Sequence, residues 1–251
     1  MAGNRLVDLR VHRFPERNKA LDFTTFSSLL RISTKYEMPA VRSHLLDIIR
    51  DAYPETFEGV TPTKSLGETA FSGPTPHPNE VLNLFIQQKL TSALPMAYYM
   101  AARRGLNSLM DERLPKSATL PPEVLGRAMR GFIALRELEL KETHRLVLGP
   151  RTSGQCSSGS CPSRKTTGPG ASDAHHWKII DRITGSSQTG MKVLEVFSLS
   201  GVNGGDTGGF CESCVKGWEW GHAEVRRRAW DMLPSVFGVE SLNPPYGLNV
   251  K

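Results

Sequence analysis

Two stretches rich in glycine, proline, serine and threonine divide this chain, at residues 59–78 and 149–172. On either side of them, apolar residues recur three to four positions apart, the spacing that places side chains on one side of an α-helix. The alternation of apolar and polar residues that is typical of strands is faint. We therefore predict a mainly α-helical chain whose glycine- and proline-rich stretches are loops.

The first helical signal is a pair of short helices that we expect to form a hairpin. Thr24 or Thr25 is a suitable N-terminal cap for the first helix. Its predicted apolar face carries Phe26, Leu29, Leu30 and Tyr36. Pro39 fits the first turn of the second helix, and Pro54 ends it. The predicted buried side of the second helix carries Val41, Leu45, Ile48 and Ile49.

Further helices are predicted at 79–90, 95–104, 106–110, 122–146, 173–185, 189–197 and 212–232. The longest of them carries a predicted buried stripe of Val124, Leu125, Ala128, Met129, Phe132 and Ile133. The predicted organisation is a loose N-terminal arm at 1–21, a helical hairpin at 22–57, a linker at 58–78, a helical C-terminal domain at 79–238 and a tail at 239–251.

Composition limits the classes of protein to which this chain can belong. Its formal net charge of +6 permits contact with acidic partners or nucleic acid without requiring it. No window holds about 18 uncharged apolar residues, so we expect no membrane span. The first twenty residues are charged throughout and lack the apolar centre of a secretory signal. We therefore expect a cytoplasmic or nuclear protein.

The four cysteines form two close pairs, Cys156 with Cys161 and Cys211 with Cys214. Two such pairs from separate segments suit a tetrahedral structural zinc ion, because each pair places two thiolates on one side of the metal. The alternative is four unligated thiols, and a redox pair at Cys211 and Cys214 ranks lower because no thioredoxin-like context is present. Substitute ligands are His175, His176 and His222, although His222 fits a core position better.

No motif for catalysis is recognisable in the sequence. The glycine-rich loop at 201–209 lacks the Gly-Lys-Ser/Thr ending of a phosphate-binding loop. An enzyme would need a deep pocket with converging titratable groups, which the sequence does not indicate. Arg226, Arg227 and Arg228 follow Trp218 and Trp220 and precede Trp230, which makes phosphate contact conceivable. We favour a solvated helix face there, with tryptophans buried beneath it.

Residues 29–42, LLRISTKYEMPAVR, resemble the last helical pair of a BTB (POZ) domain, and specifically that of fungal, mushroom-type BTB proteins. The likeness continues through Leu45, Leu46 and residues 52–54. Later runs are similar to the helical region after that domain: NEVL at 79–82, ALPMAYY at 93–99, RGFIALR at 130–136, Cys156 and Cys161, GFCESC at 209–214 and AWDMLP at 229–234. The resemblance covers most of residues 22–238.

The resemblance implies a non-catalytic adaptor or scaffold that binds other proteins. BTB domains self-associate, bind transcriptional partners or dock to cullin-type ubiquitin ligases. A full BTB domain places several strands and helices before this helical pair, so its amino-terminal part is expected to be missing here. In BTB proteins that part supplies much of the surface for dimerisation and for cullin binding. We therefore expect self-association and cullin docking less than binding to other proteins. The alternative is a transcription-linked or nucleic-acid-binding regulator with a structural zinc.

Overall fold

The computed structural model describes residues 21–60, 71–148, 193–194 and 212–239. Seven α-helices lie in this part of the chain: α1 (Phe23–Lys35), α2 (Pro39–Ala52), α3 (Pro78–Gln87), α4 (Leu94–Ala102), α5 (Leu106–Leu109), α6 (Pro122–Leu148) and α7 (Glu212–Val236). Short 3-10 turns lie at Phe57–Gly59, Thr91–Ala93 and Lys116–Ala118. The described residues contain no β-strand, only an isolated bridge between Asp22 and Ser72. The prediction of a mainly helical chain is confirmed.

The α1–α2 pair forms where the apolar spacing predicted it. The cap of α1 differs from the prediction: the Asp22 carboxylate accepts a hydrogen bond from the backbone N–H of Thr25 at 2.9 Å. Asp22 satisfies an amide that the first helical turn leaves without a partner. Pro39 begins α2, and α2 ends before Pro54. The two helices pack on each other, with Phe26, Leu30, Val41, Leu45 and Ile49 buried.

Phe71 covers the buried side of α1. Its ring meets the rings of Phe23 and Phe26 edge-on, with centroids 5.1 Å apart in both cases. The backbone N–H of Ser72 donates to the Leu21 carbonyl at 2.9 Å, which holds this short segment beside the start of α1. Phe71 falls inside the predicted linker, yet it is buried in the core. Residues 61–70 of that linker lie outside the described residues.

Helix α4 is the centre of the later helices. All nine of its residues, Leu94–Ala102, are buried. A helix that is apolar on every side must be enclosed by other elements, and α3, α6 and α7 pack around this one. Its Tyr98 ring stacks on Phe237 with a centroid distance of 5.2 Å and an interplanar angle of 18°.

Helices α6 and α7 form the most extensive helix pair of the described chain. Gly131 of α6 allows the closest approach, because a Cβ there would lie 2.8 Å from Cζ of Phe237 and closer still to two other ring carbons. The predicted stripe of α6 was wrong at Ile133, which is 56% exposed. Leu135 and Leu138 are buried instead because α7 lies on their side of α6.

The buried apolar residues form one cluster that extends from Phe26 in α1 to Val239 after α7. Val193 and Leu194 belong to this cluster and form a turn. The other residues of the helices predicted at 173–185 and 189–197 lie outside the described residues. The helical pair at the start of the chain therefore shares its core with the helices that follow.

Candidate functional site

The predicted zinc ligands fall largely beyond what the structure describes. Cys156, Cys161 and Cys211 lie outside the described residues, and Cys214 lies in the first turn of α7. In the described ranges, no group of three or more His, Cys, Asp or Glu side chains is placed to hold a metal ion. The four-cysteine zinc site stays a prediction.

The three consecutive arginines of α7 are engaged within the chain. Arg226 is only 8% exposed and donates hydrogen bonds to the carbonyl oxygens of Leu194 at 3.0 Å and Val60 at 3.5 Å. Arg227 pairs with Glu58 at 3.1 Å. The prediction of a solvated face with tryptophans buried beneath it was therefore wrong for Arg226, which is buried, and for Trp220, which is 75% exposed. The sequence gives no sign that Val60 and Leu194 come to this part of α7.

Phe57 joins the arginines to the aromatic residues of α7. The guanidinium carbons of Arg226 and Arg227 lie 5.4 Å and 4.7 Å from the centroid of its ring, distances suited to cation–π attraction. Trp230 meets the same ring edge-on, with a centroid distance of 6.4 Å. The cluster thus packs α7 against the turn after α2.

Tyr99 and Arg226 together hold the backbone of Leu194. The N–H of Leu194 donates to the Tyr99 hydroxyl at 3.3 Å, while its carbonyl accepts from Arg226. Val193 and Leu194 are 2% and 1% exposed. Four segments of the chain, at residues 60, 99, 194 and 226, therefore meet around one guanidinium group.

Glu142 of α6 is a buried carboxylate that lies between two arginines. It is bonded to Arg145 at 2.6 Å and to Arg228 of α7 at 2.8 Å. Burial raises the pKa of this carboxyl, but the hydrogen bonds and charges of the two arginines outweigh it and lower the pKa below its usual value. Glu142 is therefore ionised and paired at neutral pH, an arrangement suited to joining α6 and α7.

Because His222 of α7 is buried, we predict that the protein loses folding stability in mild acid. Burial, followed by the charge of Arg226, lowers its pKa from 6.5 to about 4. Between pH 6.5 and pH 4, His222 is therefore protonated in the unfolded chain but neutral in the folded chain. The free energy of unfolding is highest above pH 6.5 and falls as the pH drops toward 4. We expect the free energy of unfolding to fall by about 2 kcal/mol between pH 7.5 and pH 5 from this group.

Urea unfolding across this range, followed by circular dichroism, measures the effect. The variant His222→Gln cannot take up the proton and should show a shallower slope between pH 7.5 and pH 5. Equal slopes for the variant and the natural sequence would contradict the assignment.

An exposed apolar surface lies where α1 ends and α2 begins. We name Ile32, Tyr36 and Met38 the α1–α2 tip; their exposed fractions are 46%, 64% and 40%. Ile32 and Tyr36 are four residues apart and hence neighbours on the helix surface. The backbone N–H of Met38 donates to the carbonyl of Ser33 at 2.9 Å, which folds Met38 back toward the last turn of α1.

Met38 is more exposed than the equivalent residues at two other helix ends. At the ends of α1, α3 and α7, the second residue past the cap donates its N–H to a carbonyl five residues back, the bond of a Schellman motif. These residues are Met38, Leu90 and Val239. A hydrophobic contact normally covers that residue, and Leu90 and Val239 are 7% and 0% exposed. Met38 alone of the three remains uncovered.

Polar contacts with the end of α3 hold the α1–α2 tip in place. Arg31 donates to the side-chain oxygen of Gln87 at 3.4 Å, and the Thr34 hydroxyl donates to that of Gln88 at 2.9 Å. Arg42 of α2 donates in turn to the Thr34 hydroxyl. Helices α1, α2 and α3 are thus linked beside the exposed side chains.

The helical spacing of the sequence indicates two of the three exposed residues of the α1–α2 tip. The prediction that Tyr36 lies on the buried face with Phe26 and Leu30 was wrong, because Tyr36 is 64% exposed. Ile32 lies two positions after Leu30, a rotation of about 200° around the helix. Ile32 and Tyr36 therefore form an apolar pair on the side of α1 that faces away from the core.

Neither the scan against protein-family models nor the searches of the curated proteins and of the solved structures found a match to this chain. The resemblance to BTB proteins therefore stays a prediction. In the part of the chain that the structure describes, no helix combines the length and the apolar character that crossing a membrane requires.

Proposed function

We propose that this chain is a non-catalytic adaptor or scaffold that binds another protein through the α1–α2 tip. The observation that carries the proposal is the exposure of three large apolar side chains on a surface that hydrogen bonds hold to α2 and α3. Exposed apolar surface costs about 25 cal/mol per Å² relative to burial. Clustered apolar side chains on a surface are typical of protein contacts.

The resemblance to BTB proteins supports the same class of function from the sequence. From this resemblance, the candidate partners are a second copy of the chain and cullin-type ubiquitin ligases. The proposed location is cytoplasmic or nuclear. A structural zinc at Cys156, Cys161, Cys211 and Cys214 remains part of the proposal. The alternative, a nucleic-acid-binding regulator, draws no support from Arg226, Arg227 and Arg228, whose guanidinium groups are bonded within the chain.

Site-specific photocrosslinking in cells that naturally make the protein tests this proposal. A benzophenone amino acid at Tyr36 should crosslink to a discrete partner protein. The same group at Ile133, an apolar position of similar exposure on α6, is the matched control and should not yield that product. We expect Ile32→Asp to abolish the crosslink from position 36 without altering the circular dichroism spectrum, because the side chain lies at the surface.

The result can also reject the proposal. No product from position 36, or the same product from positions 36 and 133, would show that the α1–α2 tip is not a specific protein-binding surface.

A further inference from the structure

We infer that the partner of the α1–α2 tip is an acidic amphipathic segment of another protein, a proposal that rests on the function proposed above. The segment would place apolar side chains on Ile32, Tyr36 and Met38, with Asp and Glu residues at its edges. The charges around the tip carry the inference.

Among the described residues that form and flank the α1–α2 tip, cations outnumber carboxylates. Between residues 31 and 46, Arg31, Lys35 and Arg42 are accompanied by one carboxylate, Glu37. Lys89 is a further exposed cation, and it follows Gln88, whose side chain is hydrogen-bonded to Thr34 of α1. Among the described residues, four cations and one carboxylate thus lie on or next to the segments that carry the three exposed apolar side chains.

The partners of these cations differ from those of seven other arginines in the described chain. Arg50, Arg113, Arg127, Arg136, Arg145, Arg227 and Arg228 each pair with a carboxylate. Arg31 and Arg42 instead donate to neutral oxygens, those of Gln87 and Thr34. The Lys35 ammonium lies 5.4 Å from the centroid of the Tyr36 ring. The charges at the α1–α2 tip are therefore available to a partner's carboxylates.

The charge distribution favours an acidic partner over a second copy of this chain. Two copies joined through this surface would bring four cations toward four cations, with one carboxylate on each side. Like charges placed together across an interface oppose binding. The apolar pair Ile32 and Tyr36, one helical turn apart, suits the apolar stripe of a partner helix.

Fluorescence anisotropy with a designed probe tests the inference on the full chain. The probe is a labelled amphipathic peptide with leucine at i, i+3, i+4 and i+7 and glutamate at its other positions, and its counterpart has lysine in place of each glutamate. We expect the glutamate peptide to bind, the lysine peptide not to bind, and rising salt to weaken binding.

Two variants locate the binding. Arg31→Glu with Lys35→Glu should weaken affinity for the glutamate peptide about tenfold or more, since each reversal replaces an attraction by a repulsion. Lys116→Glu with Lys141→Glu reverses two exposed cations elsewhere and should leave affinity nearly unchanged. Equal binding of the two peptides, or equal effects of the two variant pairs, would overturn the inference.

The photocrosslinking experiment separates this inference from the proposed function. If the partner segment joined to position 36 is rich in Asp and Glu, both stand. If that segment is neutral or basic, or is a second copy of this chain, the acidic-partner inference fails while the proposed function stands. If no specific product forms, the proposed function itself fails.

Discussion

Replacing Gly131 with alanine is expected to lower the free energy of unfolding by about 3 kcal/mol, near the upper end of what overpacking costs. The new Cβ would overlap the ring of Phe237, with Cζ only 2.8 Å away. That ring has little room to withdraw because it is 1% exposed and stacked on Tyr98. Guanidinium unfolding followed by circular dichroism measures the loss.

Gly126 of the same helix provides the matched control. A Cβ there would meet only the end of the Arg130 side chain, at 3.7 Å. Alanine at this position should therefore stabilise the protein by up to about 1 kcal/mol, since it is a better helix former than glycine. The Gly131→Ala loss should also shrink when Phe237→Leu removes the ring. Equal effects of alanine at both glycines would contradict the close approach of α6 and α7.

Replacing Arg226 with methionine is expected to cost about 2 to 4 kcal/mol, because two buried carbonyl oxygens would lose their donor. Those oxygens belong to Leu194 and Val60. Methionine keeps most of the apolar volume of the side chain, so the loss reports mainly on the hydrogen bonds. Chemical denaturation at fixed pH measures it.

Arg227→Met is the control for Arg226→Met. Both arginines contact the Phe57 ring, but Arg227 lies at the surface and its pair with Glu58 is open to solvent. A solvent-exposed ion pair contributes little, so this variant should unfold at nearly the same denaturant concentration as the natural sequence. A loss at Arg227 as large as that at Arg226 would contradict a special role for the buried guanidinium.

The sequence predicted helices well where one apolar face and a proline acted together. Pro39, Pro54 and the spacing of Val41, Leu45 and Ile49 predicted both ends of α2, which runs from Pro39 to Ala52. The exposed side of α6 was predicted less well. Whether Ile133 or Leu138 is buried depends on the side of α6 against which α7 packs. Helical spacing alone does not contain that information.

The turn conformation that follows α1 and α3 was not predicted, for a conformational reason. Glu37 and Lys89 occupy left-handed backbone conformations, with φ of 51° and 55°. Glycine is the residue that usually signals such an end, and neither position carries it. No glycine therefore indicates that Met38 folds back beside Ile32 and Tyr36. The buried environment of Arg226 was not predicted for a different reason, because its partners at 60 and 194 are remote in the chain.

The enclosure of α4 has a consequence for synthesis. A ribosome makes α4 long before α7, yet α7 supplies Phe237, whose ring packs against Tyr98. Until α7 emerges, the side of α4 that packs against Phe237 lacks the cover of that ring. Transiently exposed apolar surface invites aggregation. Chaperones that shield apolar segments of nascent chains would therefore act on this protein in the interval between the translation of α4 and that of α7.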